Sequence, residues 1–229
     1  MKNRAAARGP RKQPAYLLHR GDALDAYQGW PTPTTMISDG AYGVRGFHGD
    51  TIGTDRIAEW YQPHVEAWSR LAGPATTLWF WNTEVGWATV HPLLVQHGWD
   101  YVQAITWDRG ITHIAGNVNG KTIRRFPVVS RIKGTMRRAA PRVHNPSSLS
   151  AAHLNQKPLE FMRRMLNAVT DPGDVVWEPF GGLASASVAA VETGRFPCAA
   201  EIDHDFAEIA AQRLDDALAG RDQETEDLP

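Results

Sequence analysis

Short apolar runs alternate with longer segments of helical periodicity along most of this 229-residue chain. Runs that favour β structure occur at 16–22, 34–38, 76–81, 175–177 and 197–201. Apolar residues recur every three or four positions in 54–71 and 85–97, and small apolar residues follow Gly182, which predicts helices there. The alternation predicts an α/β fold with a mostly parallel sheet and helices on both faces. Two more runs, 99–107 and 126–132, predict an antiparallel hairpin at the sheet edge.

The ends of the chain differ in composition from the rest, which predicts a single domain at 15–218. Residues 1–14 are basic and residues 219–229 are acidic, and both segments are predicted to be disordered tails. The N-terminal segment lacks the apolar stretch of a secretory signal, and no run reaches the roughly 18 apolar residues of a membrane span. The single cysteine, Cys198, favours a reducing, cytoplasmic location. No Cys, His and acid cluster has metal-ligand spacing, so no metal is predicted.

The net charge of −1 conceals an uneven distribution of charge along the chain. Residues 109–159 contain ten Lys or Arg and no acid. Phosphate neutralisation dominates sequence-independent affinity for nucleic acids, so this segment is predicted to face DNA. A basic surface that only contacts solvent is the alternative. The densest part of the segment consists of Lys121, Arg124, Arg125, Arg131, Lys133, Arg137, Arg138 and Arg142.

Two predicted strands near the C-terminus end in a carboxylate. The first is followed by the turn Glu178-Pro-Phe-Gly-Gly-Leu-Ala, and the second ends at Glu201, 23 residues after Glu178. Doubly wound folds bind nucleoside cofactors with a strand, a glycine-rich turn and a helix, and an acid about 20 residues further on binds the ribose. The turn lacks the G-x-G-x-x-G pattern, so a nicotinamide cofactor is not the first expectation. An acid at a strand end without a ligand is the alternative.

A third candidate site follows the predicted strand at 34–38, where the chain reads Asp39-Gly-Ala-Tyr. Together with Gln156-Lys-Pro and the glycine-rich turn, this sequence resembles the amino-group DNA methyltransferases that use S-adenosylmethionine. The motif order is similar to the β-type of that family, and the resemblance covers about 16–214. It implies a Rossmann-like methyltransferase fold. It also implies methylation of adenine N6, or alternatively cytosine N4, on a base flipped out of double-stranded DNA.

The resemblance also implies roles for individual residues. The catalytic positions are Asp39, Gly40, Ala41 and Tyr42, with Asp39 accepting a hydrogen bond from the amine and Tyr42 stacking on the base. The positions that bind S-adenosylmethionine are Asp22, Ala23, Lys157, Glu178, Phe180, Gly181, Gly182 and Glu201. Two positions have simpler alternatives, since Asp39 could cap a turn and Lys157 could be a solvent-exposed lysine at a helix start.

The chain departs from the family pattern at several points. Gly40 and Ala41 replace the two prolines of the catalytic loop, Glu178 replaces an aspartate, and Ala184 replaces the second glycine of the turn. The segment available for target recognition is 133–152, which is too short for an independent domain. Recognition is therefore expected to be loose, to involve 110–122, or to come from a second copy or a separate specificity partner. A catalytically weak nucleic-acid-binding subunit and an RNA methyltransferase remain alternatives.

Overall fold

The computed structural model of the protein describes residues 14–43, 52–105 and 157–226. The basic cluster from Lys121 to Arg142, the predicted recognition segment 133–152 and the second arm of the predicted hairpin lie outside these residues. The chain divides into two compact units, of which the larger comprises 1–100 and 153–229 and the smaller comprises 101–152. The structure described below is that of the larger unit.

Five parallel strands form one sheet. They are β1 (Leu17–Arg20), β2 (Thr35–Ser38), β3 (Thr77–Phe80), β4 (Val175–Glu178) and β5 (Phe196–Glu201). Their order in the sheet is β1-β5-β4-β2-β3, with Met36 of β2 opposite Trp177 of β4. Because all pairs are parallel, the carboxyl ends of the strands lie along one edge of the sheet.

Six α-helices flank this sheet. They are α1 (Ala23–Ala26), α2 (Ile57–Leu71), α3 (Glu84–Gln96), α4 (Leu159–Val169), α5 (Ser185–Glu192) and α6 (His204–Glu226). Side chains in the loops after the strands cap several of these helices. Asp22 accepts a hydrogen bond from the Leu24 amide, Thr83 accepts one from the Gly86 amide, and Asp203 accepts bonds from two amides at the start of α6. The first of these caps places Asp22 directly after β1, at the carboxyl edge of the sheet.

The apolar core has two halves, one on each face of the sheet. Alternate residues of a strand point to opposite faces, so Met36 and Trp177 pack with α1, α2 and α3 while Ile37 and Val176 pack with α4 and α5. Further along the second face, α5 packs against α6 through buried alanine, valine and leucine side chains. The result is three layers, helix–sheet–helix, as the alternation of apolar runs predicts.

The connections reverse direction between β2 and β4. From β2 the chain runs through α2 to β3 on one side, and from β4 it runs through α5 to β5 on the other. Ligands of open α/β sheets bind at the carboxyl ends of the strands at such a reversal. The loops that begin at Asp39 and at Pro179 follow these two neighbouring strands.

Two local expectations differ from the structure. Residues 99–105 are not in a strand, which removes most of the first arm of the predicted hairpin, and Tyr101 and Val102 there are exposed. The C-terminal boundary also differs, because α6 continues to Glu226 and includes most of the segment predicted to be a disordered acidic tail. Arg221 makes part of this extension favourable, since its guanidinium contacts the Val191 carbonyl oxygen at 3.4 Å and Asp222 at 3.8 Å.

Among the residues that the structure describes, no helix combines the length and the apolar composition needed to cross a membrane.

Candidate active site

The loop after β2 brings together an acid, a phenol and a distant lysine. The Tyr42 hydroxyl donates a hydrogen bond to Asp39 Oδ1, and Lys157 Nζ forms an ion pair with Asp39 Oδ2. Lys157 Nζ also lies 3.1 Å from the Tyr42 hydroxyl oxygen. Asp39 and Tyr42 are therefore neighbours, as the sequence motif predicts. Lys157, predicted to contact the cofactor, contacts these two residues of the catalytic loop in the structure.

The backbone of this loop is held by side chains from the next helix and strand. The Ala41 carbonyl oxygen accepts hydrogen bonds from the Tyr61 hydroxyl at 3.2 Å and from Asn82 Nδ2 at 3.0 Å. The Gly43 carbonyl oxygen accepts a hydrogen bond from Thr54 Oγ1 at 2.8 Å. Ala41 thus acts through its backbone, and the loop keeps a defined conformation without the two prolines that the family pattern has at positions 40 and 41.

Gly40 is required by the packing around it. A Cβ atom at this position would lie 2.7 Å from the Tyr61 hydroxyl oxygen and 2.8 Å from the ring of Phe180. Separations this short force a neighbouring group to move. The replacement of proline by glycine at position 40 therefore allows Phe180, from the loop after β4, to approach the catalytic loop closely.

Phe180 belongs to an aromatic cluster that forms a wall of the site. Its ring centroid lies 4.9 Å from that of His64, 5.1 Å from that of Trp60, 6.1 Å from that of Tyr61 and 6.2 Å from that of Trp68. All four partners lie on α2, so the helix that follows the catalytic loop also orients the turn expected to bind the cofactor. Aromatic pairs at these distances contribute about 0.5–1.5 kcal/mol each beyond the apolar area they bury.

His64 is a neutral member of this cluster. The Tyr27 hydroxyl accepts a hydrogen bond from Trp68 Nε1 at 2.9 Å and lies 3.0 Å from His64 Nδ1. The phenol donates its hydrogen to Nδ1 when the histidine hydrogen is on Nε2, and accepts from Nδ1 in the other tautomer, so both neutral forms of His64 keep this contact. Burial lowers the pKa of His64 to about 4. This histidine stabilises the wall as an uncharged group.

The turn after β4 has the close approach that its glycines predict. The Gly181 amide donates to the Ala200 carbonyl oxygen at 2.7 Å, and a Cβ at Gly181 would lie 3.1 Å from that oxygen. The Gly182 amide donates to Glu201 Oε2 at 2.5 Å, with a positive φ of 52° at Gly182. Ala184 has a φ of 54°, a left-handed conformation in which the glycine of the family pattern would be unstrained.

Glu201 lies at the end of β5 and accepts hydrogen bonds from two backbone amides. Besides the bond from Gly182, its Oε1 atom accepts one from the Asp203 amide at 2.8 Å. Burial raises the pKa of Glu201, while these hydrogen bonds oppose the shift. Each carboxylate oxygen has more than one lone pair, so Glu201 can accept further hydrogen bonds from the hydroxyls of a ribose.

Glu178 has a different position from the one expected for a cofactor ligand. Its carboxylate oxygens accept hydrogen bonds from the Ala186 amide at 3.0 Å and the Ser187 amide at 2.7 Å, at the N-terminus of α5. The residue is only 6% exposed. Burial raises the pKa of Glu178 to about 7, against the opposing effects of the hydrogen bonds and of nearby Arg213. Glu178 therefore shapes the turn by holding the start of α5, and its carboxylate faces this helix instead of the loops at the carboxyl edge of the sheet.

Asp22 and Ala23 follow β1, next to β5 in the sheet. Ala23 is buried and Asp22 is exposed, with its carboxylate capping α1.

Ile202 is a residue of this edge that was not predicted from the sequence; it directly follows Glu201 and is 75% exposed. A large apolar side chain exposed beside a strand-end acid offers a contact for the flat face of a nucleoside base. The hydrophobic residue after the acid was the available sequence signal.

Trp81 is a second residue that sequence reasoning missed. It directly follows β3, and its amide donates to the Ser38 carbonyl oxygen at 2.8 Å, which places it beside the catalytic loop. Lys157 Nζ lies 5.2 Å from the Trp81 ring centroid and 5.8 Å from that of Tyr42. Trp81 therefore lies against the ammonium group of Lys157.

The predicted DNA-binding residues lie outside the described part of the chain.

Comparison with known proteins shows similarity to DNA methylases over part of the chain. The family model N6_N4_Mtase, described as DNA methylase, matches residues 129–212. The DNA adenine methyltransferase YhdJ of Escherichia coli (strain K12) is 32% identical over 75 residues, which are 33% of this chain and 26% of that protein. YubD of the same strain, whose name describes a methylase, is 27% identical over 191 residues, 78% of this chain and 80% of that protein.

A solved structure with a similar fold is that of M1.HpyAVI in complex with SAM. It matches with a TM-score of 0.58 at 15% identity, covering 87% of this chain and 100% of the other. The predicted Rossmann-like methyltransferase fold is thereby confirmed. The comparisons thus show a Rossmann-like fold over most of the chain and similarity to DNA methylases over residues 129–212.

Proposed function

We propose that this protein transfers a methyl group from S-adenosylmethionine to an exocyclic amine of a DNA base, with adenine N6 as the first expectation. One observation carries the proposal. The neighbouring strands β2 and β4 present Asp39 and Tyr42 next to Phe180 and the glycine turn, so an amine acceptor lies beside a nucleoside-binding edge. The match of residues 129–212 to the family model supports it.

The residues around the turn fit the proposed cofactor. Gly181 lets the turn approach the end of β5 closely, Glu201 keeps lone pairs for ribose hydroxyls, and Ile202 offers an apolar contact. Bound S-adenosylmethionine would supply an electrophilic methyl group on a sulfonium. Phe180 and the α2 aromatic residues would exclude water from that side. Lys157 and Glu178, which the resemblance assigns to the cofactor, are proposed to act on the catalytic loop and on α5 respectively.

The chemistry requires an acceptor for the amine because its lone pair is delocalised into the ring of the base. A hydrogen bond from the amine to Asp39, with a second to the Gly40 carbonyl, favours a more tetrahedral nitrogen whose lone pair is free to attack. The bound cofactor would supply the methyl group to this nitrogen, and Asp39 can accept the proton that the methylated amine releases. The contribution of the protein is mainly positioning and electrostatic stabilisation.

The proposed substrate is double-stranded DNA, from which the target base is extruded. Tyr42 would stack on that base, an interaction of about 1–3 kcal/mol. The basic segment 109–159 supports DNA as the partner through its charge, and the short segment 133–152 supports weak sequence preference or help from a second copy or a specificity partner. Methylation of cellular DNA would also agree with the cytoplasmic location that the sequence predicts.

The test combines label transfer with nucleoside analysis. The protein is incubated with unmethylated DNA or, in a parallel reaction, with RNA, together with S-adenosylmethionine carrying a labelled methyl group, and the nucleosides are identified by mass spectrometry. We expect labelled N6-methyladenine, whereas N4-methylcytosine would correct the base and a labelled RNA would correct the substrate.

Two variants separate chemistry from cofactor binding. Asp39→Ala should abolish transfer and leave cofactor affinity within a few fold. Glu201→Ala should weaken cofactor binding by about 1.5–3 kcal/mol, the scale of a hydrogen bond to a charged group. Cofactor and DNA binding without any transfer would favour the alternative, a nucleic-acid-binding subunit, while absence of cofactor binding by calorimetry would contradict the proposal.

A further inference from the structure

We infer that Lys157 is a positioning residue, which holds the Asp39 carboxylate and the Tyr42 phenol in one arrangement for methyl transfer. The inference deepens the function proposed above and rests on it. It differs from the role that the sequence resemblance implies, in which Lys157 contacts the methionine part of the cofactor.

Three contacts link these residues to one another. Lys157 Nζ pairs with Asp39 Oδ2 and lies 3.1 Å from the Tyr42 hydroxyl, and that hydroxyl donates to Asp39 Oδ1. The carboxylate is thus oriented through both of its oxygens, and rotation of the phenol would break contacts with both partners. A single ammonium group therefore orients the acceptor of the amine and the ring expected to stack on the base.

The location of Lys157 is unfavourable unless it serves such a contact. Its side chain is 8% exposed, although lysine is rarely buried without a partner. It also precedes Pro158, the N-cap of α4, where the positive end of the helix dipole disfavours a cation. Asp39, 118 residues earlier in the chain, supplies the compensating charge. Since this placement brings no benefit to α4, the contact with the catalytic loop is what accounts for it.

The ammonium also interacts favourably with the ionised form of the Asp39 carboxylate, which the chemistry needs. The Asp39 side chain is 23% exposed, so water screens this attraction only in part. An ionised carboxylate accepts the hydrogen bond from the amine, whereas a protonated one is a weaker acceptor. Trp81, 5.2 Å from Nζ, limits the directions in which the ammonium can point.

The experiment compares Lys157→Met, Lys157→Arg and a control, Arg164→Met, which removes an exposed cation from α4, the helix that begins just after Lys157. In Lys157→Met we expect kcat for methyl transfer to fall on the order of a hundredfold, the effect of a small misplacement of reacting groups. The acidic limb of its kcat–pH profile should move to higher pH. Affinity for S-adenosylmethionine, measured by calorimetry, should change by less than about threefold, and Lys157→Arg should recover part of the rate.

Other results would overturn the inference. A Lys157→Met protein that binds S-adenosylmethionine at least tenfold more weakly, with an unchanged kcat profile, would assign Lys157 to the cofactor. Equal kcat and equal pH profiles in Lys157→Met and Arg164→Met would remove any role in positioning. Lys157→Arg keeps the charge and addresses the case in which the methionine variant does not fold.

A readout that does not require activity separates this inference from the proposed function. Carbon-13 NMR of the side-chain carboxyls, with Asp39→Ala used for assignment, follows the titration of Asp39 directly. Its midpoint should be at least about one pH unit higher in Lys157→Met than in the parent, because an opposite charge at this range favours the ionised form. An unchanged midpoint would contradict the inference even if transfer is observed. The expected change with no transfer to any nucleic acid would contradict only the proposed function.

Discussion

Glu178 should make the stability of this protein fall as the pH rises from about 5 to 8. Burial raises the pKa of Glu178 from 4.5 to about 7. A carboxyl with a raised pKa in the folded state binds its proton more tightly there, so its stabilising contribution is complete below the unfolded pKa. That contribution is lost as the pH rises through the folded pKa. Glutamine at this position does not titrate, so Glu178→Gln removes this dependence.

The magnitude follows from the pKa difference. Each unit of pKa shift corresponds to about 1.36 kcal/mol, and a shift from 4.5 to about 7 gives about 2.5 kcal/mol between pH 5 and pH 8. The amide of glutamine has only one acceptor oxygen for the Ala186 and Ser187 amides, which costs about 1 kcal/mol at every pH. Relative to the parent, the variant should therefore be slightly less stable at pH 5 and more stable at pH 8.

The assay is urea denaturation of the parent, Glu178→Gln and Glu59→Gln at several pH values. The quantity of interest is the difference in unfolding free energy between variant and parent, because contributions from all other titrating groups cancel in it. Glu59 is an exposed glutamate, and its variant should show no pH-dependent difference of this size. A difference for Glu178→Gln that stays constant within about 0.5 kcal/mol would show that the α5 amides and Arg213 offset the effect of burial.

Two further predictions concern the wall of the site. His64 has a pKa lowered to about 4, so it stabilises the protein above its unfolded value of 6.5 and loses that contribution as the pH falls towards 4. His64→Phe should remove this acid-side loss, which is about 2.5 kcal/mol between pH 7.5 and pH 4.5 and is measured by denaturation at these two pH values. An equal loss in parent and variant would show that folding does not lower the pKa of His64. Gly40→Ala should lower the free energy of unfolding by about 1–3 kcal/mol, because the added Cβ clashes with Tyr61 and Phe180. Gly29→Ala should have little effect, because a Cβ there meets no atom within 4 Å. Equal unfolding free energies for the two variants would contradict the packing argument.

The elements of the sheet were predictable because their signals are local. Runs of β-favouring residues bounded by turn sequences predicted all five strands, and the alternation of strands with helical segments predicted a parallel sheet. The glycine-rich turn and the acid at the end of β5 were also recognisable, since both depend on backbone conformation and spacing along the chain. Asp39 and Tyr42, three positions apart, lie close together for the same reason.

Only the tertiary structure decided which distant segments contact each other and in which direction their side chains point. The ion pair of Lys157 with Asp39 joins residues 118 positions apart, and no periodicity in the sequence encodes it. The carboxylate of Glu178 turns towards α5 and not towards the open edge, which depends on how that helix packs behind the turn. Gly40 must be glycine because Phe180 and Tyr61 occupy the space beside it. The sequence by itself therefore determined which residues gather at the edge of the sheet, while packing determined which atoms of those residues meet.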